Sequence, residues 1–582
     1  MEEKVDHLYA VRHSLAHLLA SAVLELYPNA KPTLGPPVDN GFYYDFDFGD
    51  EKVTDEDLKK IQKAMRKKLS SWHEFSPEEK TAEEAKEFYA GNPYKLEIIE
   101  DIIESGETIT FYTSGDFTDL CRGGHVTDMA KEVSGDMFKL DKLAGAYWRG
   151  DETRPMLTRI YGLAFASKED LDAYLEQREE AKKRDHRKLG KELDLFTFSD
   201  LVGPGLPLFT PKGSLMRDLI IEKIQNIQKD LGYERVTIPH ITKKDLYETS
   251  GHWEKFGDEL FKVKGKSGTE FVMKPMNCPH HTQIYASQPR SYRDLPVRYM
   301  ESTMVYRDEQ AGELLGLSRV RSITQDDGHV FCRPDQMKQE INNIIHVIRE
   351  FYSSLDMWNE ETCWVSLSSR DPQEPAKYLG DPKLWDEAET VLAEVADEAG
   401  LNWKKVEGEA AFYGPKLDFM FKDAIGREWQ LATAQLDFNM PRRFELEYTT
   451  SEGGKEVPVM IHRAIAGSLE RFMSVIIEHF AGAFPVWLSP IQIAILPVSD
   501  AHDEYAQSVR DELKKHGVRT ELLSASDSLG KRMRNVKKAK TPFWIVIGDK
   551  EQESEKFTME GRDENTTQDA ISVEAIISTI KN

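Results

Sequence analysis

The chain has little cysteine: four residues (Cys121, Cys278, Cys332 and Cys363) in 582. So sparse and scattered a set excludes a disulfide-stapled secreted scaffold and suits a reducing, cytoplasmic setting. No apolar run reaches the ~18 residues that a membrane span needs. The first residues, M-E-E-K-V-D-H, lack the basic start and apolar stretch of a leader peptide, so no membrane partner is expected. There is no internal repeat and no low-complexity tract. Positive charge is also short: 76 Lys and Arg face 101 Asp and Glu, a formal net charge of −25, which disfavours indiscriminate nucleic-acid binding.

Local charge departs from that balance at three places, residues 59–68, 182–191 and 531–540. Any one of them reads as a solvated helix face. Three of them on an acidic chain point to one large anionic partner. The length calls for three or four domains. Residues 8–25 and 55–72 have helical periodicity, the second with a basic face, and 101–151 reads as short strands and glycine turns. The highly charged stretch 167–189 reads as one exposed connecting helix. Residues 206–485 suit one large α+β domain. Beyond W-L-S-P (487–490), strands alternate with helices, which indicates a small α/β domain with a mainly parallel sheet.

The unusual chemistry lies in the large middle region. R-V-R-S-I-T-Q-D-D-G-H-V-F (319–331) alternates like a strand, so one face would carry Arg319, Arg321, Gln325, Asp327 and His329, a poor core and a good polar pocket. V-Y-R-D-E (305–309) places Arg307 and Glu309 on one face of another strand-like run, joined to the first by a glycine-containing loop. Cys278 in K-P-M-N-C-P-H-H, with His329 and His462, is a donor set suited to Zn²⁺ with one position left open. Spacing alone does not link them, and a buried thiol is the simpler reading of Cys278. F-Y-G-P-K presents Tyr413 and Lys416 on a turn. Gln430 and Gln435, five apart in a strand-like run, would face oppositely unless a bulge lies between them. R-A-I-A-G-S-L-E-R-F (463–472) reads as the opening of a helix, with Gly467 and Arg471 on one side.

Taken in order, M-N-C-P-H-H, V-Y-R-D-E, R-V-R-S-I-T-Q-D-D-G-H, F-Y-G-P-K, Q-L-D-F and I-H-R-A-I-A-G-S-L-E-R-F resemble the threonyl-tRNA synthetase family of class II aminoacyl-tRNA synthetases. The resemblance runs over nearly the whole chain. It implies an α+β multidomain protein: an N-terminal α+β editing domain (1–166), a linker helix (167–190), a class II catalytic domain on an antiparallel sheet (191–486) and a C-terminal α/β anticodon-binding domain (487–582). The implied reaction is activation of L-threonine with ATP and transfer to tRNA(Thr), with hydrolysis of mischarged seryl-tRNA(Thr). The implied partners and cofactors are tRNA(Thr), ATP, L-threonine, a second subunit in a homodimer, Mg²⁺ with ATP, and one Zn²⁺ per subunit.

The resemblance assigns roles residue by residue. Val236–Pro239 matches the motif 1 strand, with Pro239 near the dimer interface. Arg307 and Arg471 match arginines on the α- and γ-phosphates, and Glu309 a contact to adenine. Arg319, Lys416 and Gln430 line the ATP site, with Arg307, Arg471 and Lys416 the catalytic set. Cys278, His329 and His462 match the zinc ligands, and Gln325, Asp327, Tyr413 and Gln435 surround the amino acid. In the N-terminal region His13 and His17 fall at i, i+4, and Asp119, Cys121 and His125 lie on a glycine turn. On spacing alone this is a second zinc site. The resemblance instead makes these residues, with Lys95, a metal-free editing site. Arg534 and Glu551 match anticodon contacts, whereas Ser526 and Glu560 depart from residues found in some relatives. The small β-grasp domain that many relatives carry ahead of the editing domain has no counterpart here.

Overall fold

The structure, a computed structural model, describes residues 6–266, 268–359, 361–563 and 566–581; most of the stretch read above for a leader lies outside them. The chain divides into two compact units, Met1–Glu179 and Glu180–Asn582.

In the first unit, α1 (His7–Leu26) starts at Asp6, whose carboxylate accepts the Leu8 N–H, an ordinary N-cap. Its buried side packs on β1 (Gly41–Asp47) and α2 (Leu58–Leu69). A small antiparallel sheet joins β2 (Ser76–Glu79), β3 (Thr110–Ser114) and β4 (Phe117–Leu120), with α3 (Pro93–Ser105) between β2 and β3 in sequence. The main sheet places β6 (Met156–Ala164) between β1 and β5 (Phe138–Tyr147), all antiparallel. The expectation of short strands from 101 onward is corrected at both ends: α3 runs to Ser105, and β5 is ten residues long.

The expected connecting helix is two helices, α4 (Lys168–Arg184) and α5 (His186–Glu192). The break falls at Asp185, whose side chain accepts the Arg187 N–H at 2.8 Å and restarts the helix. In the second unit an eight-stranded sheet is sandwiched in sequence among α6 (Pro211–Asp230), β7 (Glu234–Arg235), α7 (Cys278–Ala286), β8 (Val297–Tyr306), β9 (Ser322–Cys332), α8 (Met337–Ser353), β10 (Cys363–Ser369), α9 (Pro382–Glu398), β11 (Trp403–Glu407), β12 (Lys416–Lys422), β13 (Glu428–Asp437), β14 (Val459–Ala464) and α10 (Leu469–His479). Its order is β7-β8-β9-β14-β13-β12-β10-β11, antiparallel except for the parallel pairs at the two edges. The apolar sides of α6, α8 and α10 cover one face and form the largest core. The other face carries the polar residues of the sheet centre beside a smaller apolar cluster that includes Tyr299, Phe331 and Met460.

Three local expectations change. Strand β9 starts at Ser322, so Arg319 and Arg321 precede it. Val236–Pro239 is not a strand: regular pairing ends at Arg235, after which Val236 N donates to Met300 O and Ile238 N to the Glu301 carboxylate. Gly467 is outside the helix. It has φ of +60°, left-handed backbone that glycine tolerates, and Ser468 then caps α10.

The C-terminal part of this unit pairs β16 (Thr520–Leu522), β15 (Ile493–Pro497) and β17 (Phe543–Ile547) in parallel, then adds β18 (Phe557–Gly561) and β19 (Gln568–Ile571) antiparallel. Helices α11 (Asp503–Lys515), α12 (Leu529–Lys538) and α13 (Val573–Lys581) complete it.

Candidate active site

Strand registers build the centre of the large sheet. Tyr299, His329, His462, Gln435 and Lys416 are opposite one another on the successive strands β8, β9, β14, β13 and β12. Residues directly opposite project to the same side, so these side chains form one file across the polar face. Gln325, Asp327 and His329 alternate along β9 and share that face, and Asp327 Oδ1 lies 3.8 Å from His329 Nε2. Cys278, the first residue of α7, is delivered to the same point: its Sγ and one nitrogen each of His329 and His462 lie within 4.8 Å of one another, all three residues buried.

The hydrogen bonds around the two imidazoles decide what the cluster is for. His462 Nε2 is 2.9 Å from the buried Asp437 carboxylate and carries its proton there. His329 Nδ1 is 2.7 Å from His281 Nδ1. With the protons of both rings on those outer nitrogens, His329 Nε2 and His462 Nδ1, 3.0 Å apart, would face each other as two lone pairs. Burial drives the His329 pKa far down and the Cys278 thiol far up. Two lone pairs and a thiol that only a cation would ionise fit a metal better than they fit each other. Tyr413 donates to Gln435 at 3.3 Å, its ring 5.2 Å from that of His462. Asp327 is held by Asn277 at 3.0 Å, and burial raises its pKa.

A second polar group adjoins the file. Lys416 ion-pairs with Asp418, and Gln430 Nε2 donates to the same carboxylate at 2.7 Å. This convergence requires the bulge that the spacing of Gln430 and Gln435 called for. Phe419 pairs with Ala432 and Met420 with Gln430, so Leu431 is the extra residue. Gly467 fits against that bulge, where an added Cβ would lie 3.1 Å from Leu431 O. Arg471 extends from the first turn of α10 over the Trp429 ring at 5.7 Å. Just past β8, Glu309 is gripped by Arg319 at 2.7 Å, while Arg307 N donates to Arg321 O. Asp418, Asp437, Glu301 and His281 were not anticipated. Alternation had a signal for the first two, since Lys416 and Asp418, and Gln435 and Asp437, are two apart on their strands. His281 is three residues past Cys278 on a helix, hence on the same side.

The first unit holds another cluster. His13 and His17 on α1 meet Cys121 and His125, with one donor atom from each within 4.8 Å of the others. Gly123, with φ of +92°, lets the turn pass Tyr112, whose hydroxyl a Cβ there would meet at 2.5 Å. Cys121 Sγ lies 3.4 Å from His13 Nε2 and 3.3 Å from His125 Nε2. Beside them Lys95 Nζ pairs with Asp119 at 2.5 Å, both about 2% exposed, and the Tyr44 and Tyr89 hydroxyls donate to the same carboxylate. Burial opposes charge on Asp119, yet Lys95, His17 and the Tyr44 hydroxyl outweigh it and hold its pKa below the usual carboxylate value. Burial takes His17 down to about 3 and Cys121 up to about 11. His13, His17, Tyr44, Lys95, Asp119 and Cys121 border an open cavity of about 640 Å³.

In the C-terminal part, Arg534 is exposed on α12. Glu551 is committed locally, accepting the Gly548 N–H at 3.0 Å, and Glu560 accepts the Trp544 indole N–H at 3.0 Å. Ser526 lies within 3.4 Å of Ser524 Oγ.

An antiparallel sheet with this strand order, an arginine after β8, another at the start of α10 and a polar file flanked by carboxylates between them define a class II aminoacyl-tRNA synthetase core. Residues 261–480 match the family model for the tRNA synthetase class II core domain (G, H, P, S and T), and residues 492–582 match the anticodon binding domain. The chain is 46% identical over 577 residues to the threonine–tRNA ligase of Rubrobacter xylanophilus, covering 99% of this chain and 89% of that one. It is 49% identical over 558 residues to the threonine–tRNA ligase of Gloeobacter violaceus, covering 94% and 88%. Among solved structures it resembles the RNA binding domain of threonyl-tRNA synthetase from Cryptosporidium parvum Iowa II, with TM-score 0.65 and 36% identity over 68% of this chain and 98% of that one. The chain belongs to the threonine–tRNA ligase family.

Proposed function

We infer that the chain activates L-threonine with ATP, transfers it to tRNA(Thr), and hydrolyses seryl-tRNA(Thr) in its first unit. The observation that carries the reading is the single file His329–His462–Gln435–Lys416, which sets a metal-type donor cluster beside a phosphate-type cation. The functional divisions are an editing domain 1–166, a linker 167–190, a catalytic domain 191–486 and an anticodon-binding domain 487–582. The protein works in the cytoplasm as a homodimer, with Pro239 near the interface. Among the described residues no helix is long and apolar enough to cross a membrane.

Cys278, His329 and His462 would hold Zn²⁺, which when bound offers a Lewis acid to the amine and hydroxyl of threonine. That need for a hydroxyl separates threonine from valine, which an apolar pocket alone rejects weakly. Tyr413 and Gln435 border the amino acid. Asp327 accepts from its hydroxyl, and Gln325, whose buried Oε1 has no hydrogen-bond partner, turns its amide toward it. Attack of the carboxylate on the α-phosphate needs alignment and charge neutralisation rather than a covalent nucleophile. Arg307, Lys416 and Arg471 supply positive charge with Mg²⁺, while Gln430, Arg319 and Glu309 position the nucleotide. Serine keeps the hydroxyl and loses one methyl, worth roughly 1–3 kcal/mol, so proofreading is required. In the first unit, neutral His13 and His17 activate water while the Lys95–Asp119 pair and Cys121 and His125 shape the pocket. Arg534 and Glu551 face the anticodon, Glu551 only after yielding its backbone contact.

The test is amino-acid-dependent ATP–pyrophosphate exchange with threonine, serine and valine. Exchange is expected with threonine, weaker with serine and near background with valine. No exchange with any amino acid would overturn the ligase reading.

A further inference from the structure

The imidazole behind His329 is itself backed by a carboxylate. His281 is fully buried, one helical turn beyond Cys278, so α7 brings the thiol and this imidazole to the centre together. His329 Nδ1 and His281 Nδ1 lie 2.7 Å apart, so one of the two must donate to the other. The other nitrogen, His281 Nε2, faces Glu301 Oε2 at 3.5 Å, and neither of these buried atoms has any other hydrogen-bond partner. The second oxygen of Glu301 accepts the Ile238 backbone N–H at 3.0 Å. The line therefore runs from His329 through His281 and Glu301 to the backbone of the segment after β7.

We propose that His281 and Glu301 are positioning residues for the metal centre: they fix the tautomer of His329 that leaves Nε2 free to ligate, and tie that ligand to the Ile238 segment. The carboxylate holds the proton of His281 on Nε2, which leaves its Nδ1 bare to accept from His329. Asp437 does the same for His462 directly, so the two ligands are oriented by different devices, one carboxylate in contact and one acting through an imidazole. A hydrogen-bond acceptor behind each ligand also makes the ligating nitrogen more basic. The inference rests on the zinc reading above.

The experiment is chelator competition for zinc on the full-length chain, comparing wild type with His281→Leu, His281→Asn and Glu301→Gln. His281→Leu removes the acceptor and is expected to weaken zinc binding about 10- to 100-fold, the usual effect of losing such a partner. His281→Asn offers a carbonyl oxygen near the position of Nδ1 and is expected to recover most of that loss. Glu301→Gln keeps the Ile238 contact and should show a smaller loss in the same direction; it also serves if His281→Leu fails to fold. The threonine KM should rise in step with zinc loss, and the ATP KM should not. If His281→Leu holds zinc as wild type does, or if His281→Asn loses as much as His281→Leu, the relay is wrong while the zinc reading stands. A wild-type chain that takes up no zinc overturns the zinc reading, and the relay with it.

Discussion

Two clusters, one in each unit, use the same residue types, one cysteine with two or three histidines, packed to similar distances. They differ in what stands behind the imidazoles. In the central cluster each outer nitrogen has a polar partner, Asp437 at 2.9 Å for His462 and His281 at 2.7 Å for His329, and the inner nitrogens face each other at 3.0 Å. In the N-terminal cluster the outer nitrogen of His125 meets only the Ser14 hydroxyl at 3.3 Å, and among the described residues no ion pair reaches His13 or His125. Asp119, the carboxylate nearest His17 at 3.8 Å, is already taken by Lys95 and two tyrosines. Its rings stack instead: His125 lies 4.0 Å from Phe75 and 4.3 Å from His13. Ligand identity is thus a poor guide to metal binding by itself. On the reading proposed above, the partners of the far nitrogens are what would separate a site that holds a cation from one that holds neutral imidazoles around a cavity.

The largest effect is expected from Cys278→Ser. Loss of a Lewis acid worth several kcal/mol should lower threonine-dependent exchange about 10²–10³-fold, while Cys121→Ser leaves exchange near wild type; equal losses in both variants would erase the distinction. Next, His13→Ala should slow hydrolysis of seryl-tRNA(Thr) about 10²-fold, at the lower end for a general base, and leave threonine charging intact. Deacylation at the wild-type rate would remove His13 from the N-terminal site. The smallest effect concerns acid. His17 is held at about 3 and His13 below its usual value, both by burial, so the unfolded chain binds protons that the folded one refuses. Stability from these neutral histidines is complete above pH 6.5, the ordinary histidine value, and falls as pH drops from there toward 3. Hydrogen exchange across β3 and β4, corrected for intrinsic rates, should be faster at about pH 5 than at pH 7.5 with or without zinc. Protection by zinc there would place a metal in the wrong unit.

Much of this contrast was beyond a reading along the chain. The Cys278, His329 and His462 set was visible as a donor combination, and alternation along β9 put Gln325, Asp327 and His329 on one face, because period 2 is a local property. The bulge at Leu431 was legible for the same reason: two amides five apart along a strand reach the same face only if a residue is added. Gly467 misled, because a glycine before a capping serine has the same spacing to Arg471 whether it lies inside the helix or just ahead of it; only its φ of +60° distinguishes them. The break at Asp185 was hidden in a charged run where a capping carboxylate looks like any other. The roles of His281, Glu301 and Asp437 depend on contacts among α7, β8, β9, β13 and β14, and no pattern within one segment encodes which nitrogen of an imidazole is occupied.

The most direct test is the zinc content of the intact chain, purified with zinc available and measured alongside Cys278→Ser and Cys121→Ser. One zinc per chain is expected in the wild type, retained in Cys121→Ser and lost in Cys278→Ser. Two zinc ions per chain, or a single ion that leaves with Cys121 rather than Cys278, would contradict the division between the two clusters.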